Sequence, residues 1–211
     1  MAINPFKKLM NKPSSSTPDA KPPLNLRGNR FKPLTWETLT PAQLAMVESV
    51  MAGQRGSMQG PYNVLLRSPE LGNLAQQFGV HTRYHSSLPL ALNELAILLV
   101  ARFWSSQFVW WAHKRIALDA GLDAALVDAI AGGKLAPPLP ADAAAVYGFC
   151  SELLQMRRVG DAAYAALLAQ FGEAGIVDVM GTMSYYTLVS MALNVDQYPL
   201  PDGAVAELKP L

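Results

Sequence analysis

Cysteine is nearly absent. A single residue of that type, Cys150, stands among 211, which excludes an internal disulfide framework and any cysteine-rich zinc site. Histidine is scarce too, so imidazole chemistry can fall only on His81, His85 or His113. Charge is thin: 16% of residues are charged, and 17 bases against 16 acids leave a net +1. That balance offers no electrostatic footprint for nucleic acid. The longest uncharged apolar run in the middle of the chain, 95–101, is bracketed by Glu94 and Arg102. It falls far short of the roughly 18–20 residues of a membrane-spanning helix. Sustained alternation of β-branched residues is missing as well, so strands are not expected. What the chain does have is apolar content. At 51% hydrophobic it is excluded from the intrinsically disordered class and can fill one compact core.

The charge is unevenly spread. Residues 1–33 carry seven Lys or Arg against one acid, Asp19, leaving ten bases against fifteen acids in the remainder. Ser14, Ser15, Ser16, Pro22 and Pro23 deny this segment any apolar periodicity, so 1–33 reads as a basic flexible tail and 34–211 as one domain. The tail lacks the continuous apolar stretch of a secretory signal, and a cytoplasmic setting is expected. Beyond it the punctuation is helical. Thr40-Pro41-Ala42-Gln43 combines a capping hydroxyl, a proline at the first helical position and a glutamine at the third. Ser68-Pro69-Glu70 repeats the device with an acid in the first turn. Pro89 opens a run from Leu90 to Phe103, and Ser105 and Ser106 precede a helix reaching Gly121. Shorter or later helices follow from Asp123 to Gly132, Asp142 to Arg158, Asp161 to Phe171 and Glu173 to Asn194. An all-α single-domain bundle of about eight helices is expected.

Two ionisable residues sit where an apolar face should be. At 100° per residue, Ser106, Val109, Trp110, His113 and Ala117 share one helical stripe, while Trp111, Lys114 and Arg115 turn away from it. Glu94 precedes the apolar run 95–100, where a carboxylate is costly unless protonated, hydrogen-bonded or paired. Two inward groups on consecutive helices can relieve each other's desolvation, and a buried acid–imidazole pair is also a proton-transfer device. The alternative is a satisfied core histidine and a carboxylate bracing a loop. A Ser106–His113–Glu94 hydrolytic triad is disfavoured, because residues seven apart on one helix lie about 10.5 Å apart along the axis. His81 and His85 have the spacing to share a helical face, but nothing nearby supplies a third metal ligand, so surface or capping histidines are expected.

The stretch Glu94-Leu-Ala-Ile-Leu98, with His113 nineteen residues later in an aromatic-rich helix closing on Ala117-x-x-Ala120-Gly121-Leu122, resembles the carboxymuconolactone decarboxylase and alkylhydroperoxidase D-like superfamily. The likeness extends through Pro61 to Leu71, Arg83-Tyr84, Ser87-Leu-Pro89, Val146-Tyr147, Phe171-Gly-Glu173, Tyr185-Tyr186 and Leu193-Asn194, covering roughly residues 35–200. It implies a helical bundle of the alkylhydroperoxidase D-like type. The redox branch of that family has two cysteines where this chain has Ser106 and Val109, so the dithiol peroxidase route is excluded by residue identity. Cys150 has no resolving partner and reads as a small buried hydrophobe.

The resemblance therefore implies the cysteine-less branch: a lyase or isomerase, needing no cofactor or metal, that moves a proton on a small carboxylated or lactone substrate. Glu94 and His113 would be catalytic. Ser106, Val109, Trp110 and Tyr185, or Tyr186, would line the pocket, with Arg83 or Arg102 as the positive group for the substrate acid. A second reading is a non-catalytic, ligand-binding oligomer of the same family, favoured by Asn93, where relatives commonly carry a basic residue. Neither nucleic acid nor membrane is an expected partner. Relatives form trimers or hexamers, and the apolar content suits a homo-oligomer.

Overall fold

A computed structural model describes residues 21–209. Among these the chain forms eight α-helices after one 3-10 turn (Trp36–Thr38), and no strand. The helices are α1 (Pro41–Ala52), α2 (Tyr62–Leu65), α3 (Pro69–Tyr84), α4 (Leu90–Phe103), α5 (Gln107–Asp119), α6 (Ala124–Gly132), α7 (Ala141–Met156) and α8 (Asp161–Asp196).

The local signals act as chemistry predicts at several ends. Thr40 and Gln43 form a reciprocal capping box, with Thr40 N–H donating to Gln43 Oε1 at 2.9 Å. Asp123 caps α6 through the N–H of Ala125 at 3.0 Å. Gly121 follows α5 at φ +92°, a conformation glycine adopts without a Cβ penalty. Ser68 and Ser106 occupy N-cap positions, yet neither hydroxyl makes the capping bond. The expected break between Phe171 and Glu173 is a kink inside α8, where Gly172 takes φ +65° and the chain re-enters the helix. Helix α2 was not expected. Its four residues are too few for periodicity to register.

Helix α4 is the axis of the bundle. Every residue from Leu92 to Arg102 is buried, the polar Asn93, Glu94 and Arg102 included, and the run between Glu94 and Arg102 is apolar all round. It packs against α5, α6, α7 and α8. A second, smaller apolar cluster joins α1 and α2 and includes Leu24. Helix α8 is long and apolar enough to cross a bilayer by length and composition, and half of its most apolar window is buried inside the protein.

Both ends of the described chain are tied down by polar contacts. The tail reading of 1–33 falls in part on residues 1–20, outside the described residues. Residues 21–33 have no helix or strand, but they are packed rather than free: Leu24 is buried, and backbone N–H groups of Asn29, Arg30 and Phe31 donate to one oxygen of Asp196. At the other end, Gln107 grips Leu208 through both its N–H and its carbonyl, and Glu207 accepts from Trp110 and Lys114. This strap closes over the α4–α5 corner.

Candidate active site

The two buried ionisable groups meet. Nδ1 of His113 lies 2.6 Å from Oε2 of Glu94, with Glu94 2% and His113 5% exposed. A nitrogen and an oxygen at that separation must hold a proton between them. Asn93, the neighbour of Glu94, fixes the seam: its side-chain N–H donates to the Thr82 carbonyl on α3 at 2.9 Å, and Thr182 on α8 donates to its oxygen at 2.8 Å. Three helices are thereby registered one residue from Glu94 and one from Arg83. Burial pushes the His113 pKa below its ordinary value; Glu94 works the other way, while Arg83 and Arg55 add to the depression. The imidazole is therefore neutral at neutral pH.

One edge of the ring faces a pocket enclosing about 390 Å³ of empty space, mouth included. Helix α5 contributes Phe108, Val109, Ala112 and His113 to its wall, α3 contributes Arg83, and α8 contributes Tyr185, Tyr186, Val189 and Leu193. The remaining side is the loop after α1, through Arg55, Gln59, Gly60 and Pro61. The aromatic rings run in edge-to-face succession. Tyr186 stands 4.8 Å from the His113 ring and Tyr185 stands 5.2 Å from Tyr186. Burial raises the Tyr186 pKa, so its hydroxyl stays neutral.

Of the residues expected at the pocket, Val109, Arg83 and Tyr185 line it with His113. Ser106, Trp110 and Arg102 do not. Ser106 is fully buried at the N-cap of α5, its hydroxyl without a partner among the described residues. Trp110 points its indole N–H at Glu207, 3.2 Å away in the C-terminal strap. The physical reason is angular. The stripe through Ser106, Trp110 and His113 is the core-facing one, whereas the pocket lies about 90° around the helix, along the flank where 109 and 113 overlap it. Arg102 is on α4 but about 12 Å along the helix from Glu94, and it donates to the Lys209 carbonyl at 2.7 Å.

Sequence reasoning missed Arg55. It projects from the loop Gly53-Gln-Arg-Gly-Ser-Met-Gln-Gly60, in which Gly56 and Gly60 hold φ of +60° and +85°. An arginine set between turn-forming glycines was the available signal. Arg55 donates to the Tyr185 hydroxyl at 2.8 Å and lies 5.4 Å over that ring and 5.8 Å over Tyr62. Burial opposes its charge, but the surrounding tyrosines more than offset this and its pKa stands above the ordinary arginine value. Its Nε is sealed from solvent with no hydrogen-bond partner among the described residues, an omission that costs about 1–3 kcal/mol.

The other reactive side chains lie elsewhere. Cys150 is wholly buried in the main core and burial raises its thiol pKa, so it holds little thiolate. His81 and His85 stand 6.3 Å apart ring to ring, and His81 faces Asp178 at 3.7 Å. No group of three His, Cys, Asp or Glu side chains placed to hold a metal occurs among the described residues. No protein-family model matches the chain, and no curated protein is similar enough to count as a relative.

Proposed function

We propose that the protein is a cofactor-independent lyase or isomerase of the carboxymuconolactone decarboxylase-like type, moving a proton on a small carboxylated or lactone substrate with Glu94 and His113. The observation that carries the reading is the buried 2.6 Å contact between these two groups at the wall of a pocket that also holds two arginines. With Nδ1 engaged by Glu94, proton traffic with a ligand runs through Nε2. When Nε2 delivers its proton to a substrate carbon, a proton on Glu94 can pass to Nδ1, so the ring ends neutral and the carboxylate takes the negative charge. The reverse sequence removes a proton. For decarboxylation, the bond from carbon to the carboxylate breaks and its electron pair passes into a conjugated carbonyl. Carbon dioxide leaves, and the pair protonates the resulting carbanion. For isomerisation the same proton is taken from one carbon and returned to another.

The same reading puts the enzyme in the cytoplasm, where an unpaired thiol such as Cys150 stays reduced. It also makes the protein a homo-oligomer, with exposed Leu71, Leu74 and Phe78 on α3 as apolar surface for a second subunit to cover. The test is a screen of unsaturated lactones and β-keto acids for carbon dioxide release or double-bond migration. Turnover that disappears in both Glu94→Gln and His113→Ala supports the proposal. Turnover untouched by either substitution removes it and leaves the non-catalytic, ligand-binding reading.

A further inference from the structure

We infer that Arg55 is the anion-recognition residue of this pocket, binding a planar carboxylate of the ligand that does not itself react. This inference deepens the proton-transfer reading of the same site and rests on it. Three independent features converge on Arg55.

The first is placement. Arg55 and His113 line one pocket, but two aromatic rings, Tyr185 and Tyr186, intervene along its wall. A group held by Arg55 is therefore kept at a distance from the proton-transfer pair. The chemistry happens at the other end of the ligand.

The second is an unmet donor. No acid lies within ion-pair distance of Arg55 among the described residues; its hydrogen bond goes to the Tyr185 hydroxyl, and Nε, sealed from solvent, goes unmatched. A carboxylate presents two acceptor oxygens in one plane, the shape that a guanidinium edge matches.

The third is the cradle behind the side chain. Gly79 lies within α3, where glycine disfavours the helix relative to alanine. A Cβ added there would overlap the Tyr185 ring and hydroxyl and Nη2 of Arg55. The helix thus gives up a side chain so that the arginine and tyrosine can sit against it. Tyr185 is a positioning residue in this arrangement, orienting the guanidinium through its hydroxyl.

The test is equilibrium binding, which needs no knowledge of the substrate. Crotonate, its neutral analogue crotonamide and inorganic phosphate are titrated by ligand-observed NMR at constant ionic strength against the wild type, Arg55→Met, Arg55→Lys, Tyr185→Phe and Glu94→Gln. Circular dichroism verifies the fold of each. The inference predicts that crotonate binds the wild type more tightly than crotonamide or phosphate. Arg55→Met should weaken crotonate by about 10- to 100-fold, the range for losing hydrogen bonds to a charged group. Arg55→Lys should recover part of that loss, Tyr185→Phe should cost a few-fold, and Glu94→Gln should leave crotonate binding in place. Equal affinity for acid and amide, preference for phosphate, absence of crotonate binding to the wild type, or an Arg55→Met protein that binds like wild type would each overturn it. Should turnover survive Glu94→Gln and His113→Ala while crotonate binding still requires Arg55, the catalytic reading falls and the anchor stands.

Discussion

Among the described residues, two carboxylates are shut away from water, and they do different work. Glu94, in the seam between α4 and α5, faces one ring nitrogen of a histidine that lines a pocket. Asp196, at the last position of α8, accepts from the backbone N–H groups of Asn29, Arg30 and Phe31 at 3.2, 2.9 and 2.8 Å. Exposure does not separate them: 2% against 0%. The partners do. Backbone amides cannot exchange protons on the timescale of a reaction, so Asp196 is a clamp that fastens the entering chain to the end of the longest helix. An imidazole can take or give a proton near neutral pH, so Glu94 belongs to a device. A buried acid becomes a functional candidate through the titratability of what it touches, and only when that partner meets a cavity.

The comparison breaks most sharply in activity. Glu94→Gln or His113→Ala should reduce turnover of a substrate found by the lactone and keto-acid screen by about 10²- to 10⁴-fold, the usual contribution of a positioned proton-transfer group. Asp196→Ala should leave activity per folded molecule unchanged and lower the unfolding free energy by about 1–3 kcal/mol in urea titration, since it strands part-buried amides. Gly79→Ala comes next. Displacing Tyr185 and Arg55 should cost about 1–3 kcal/mol of stability and weaken carboxylate binding in the same NMR titration.

The smallest effect concerns pH. The folded-state pKa of His113 lies below its unfolded value of 6.5, so the unfolded chain binds more protons as the medium becomes acidic. Stability from the neutral ring is complete above that value and is lost as pH falls through it toward the folded pKa. Urea titrations should give a lower unfolding free energy at pH 5.5 than at pH 7.5 in the wild type, and His113→Gln should flatten the difference.

Much of the architecture was legible because it depends on local chemistry. The Thr40 capping box, the break at Gly172 and the burial of α4 follow from residue types at short spacing, and so did the meeting of Glu94 with His113. The pocket was harder to read. Helical periodicity reports which face of α5 is buried, but it cannot distinguish the face against the core from the flank against a cavity, and so Trp110 and Ser106 were expected at a site they do not line. Arg102 was expected there because it carries charge near Glu94 in sequence; two helical turns separate them. Arg55 escaped because its position is set by a loop, which periodicity does not describe, and by a glycine on another helix. Helix α2 escaped for want of length. Long-range placement of irregular backbone depends on many weak contacts, none of which leaves a repeating pattern.

The central claim is that one proton is shared between Glu94 and His113, and nitrogen-15 NMR of the imidazole tests it without any substrate. The spectrum of histidine-labelled protein should show a strongly deshielded proton in the hydrogen bond between His113 Nδ1 and Glu94 and a ring that remains neutral as the pH is lowered past 6.5, its ordinary value. Glu94→Gln should erase the deshielded signal. An imidazole that titrates at the ordinary value, identically in wild type and Glu94→Gln, would contradict the account.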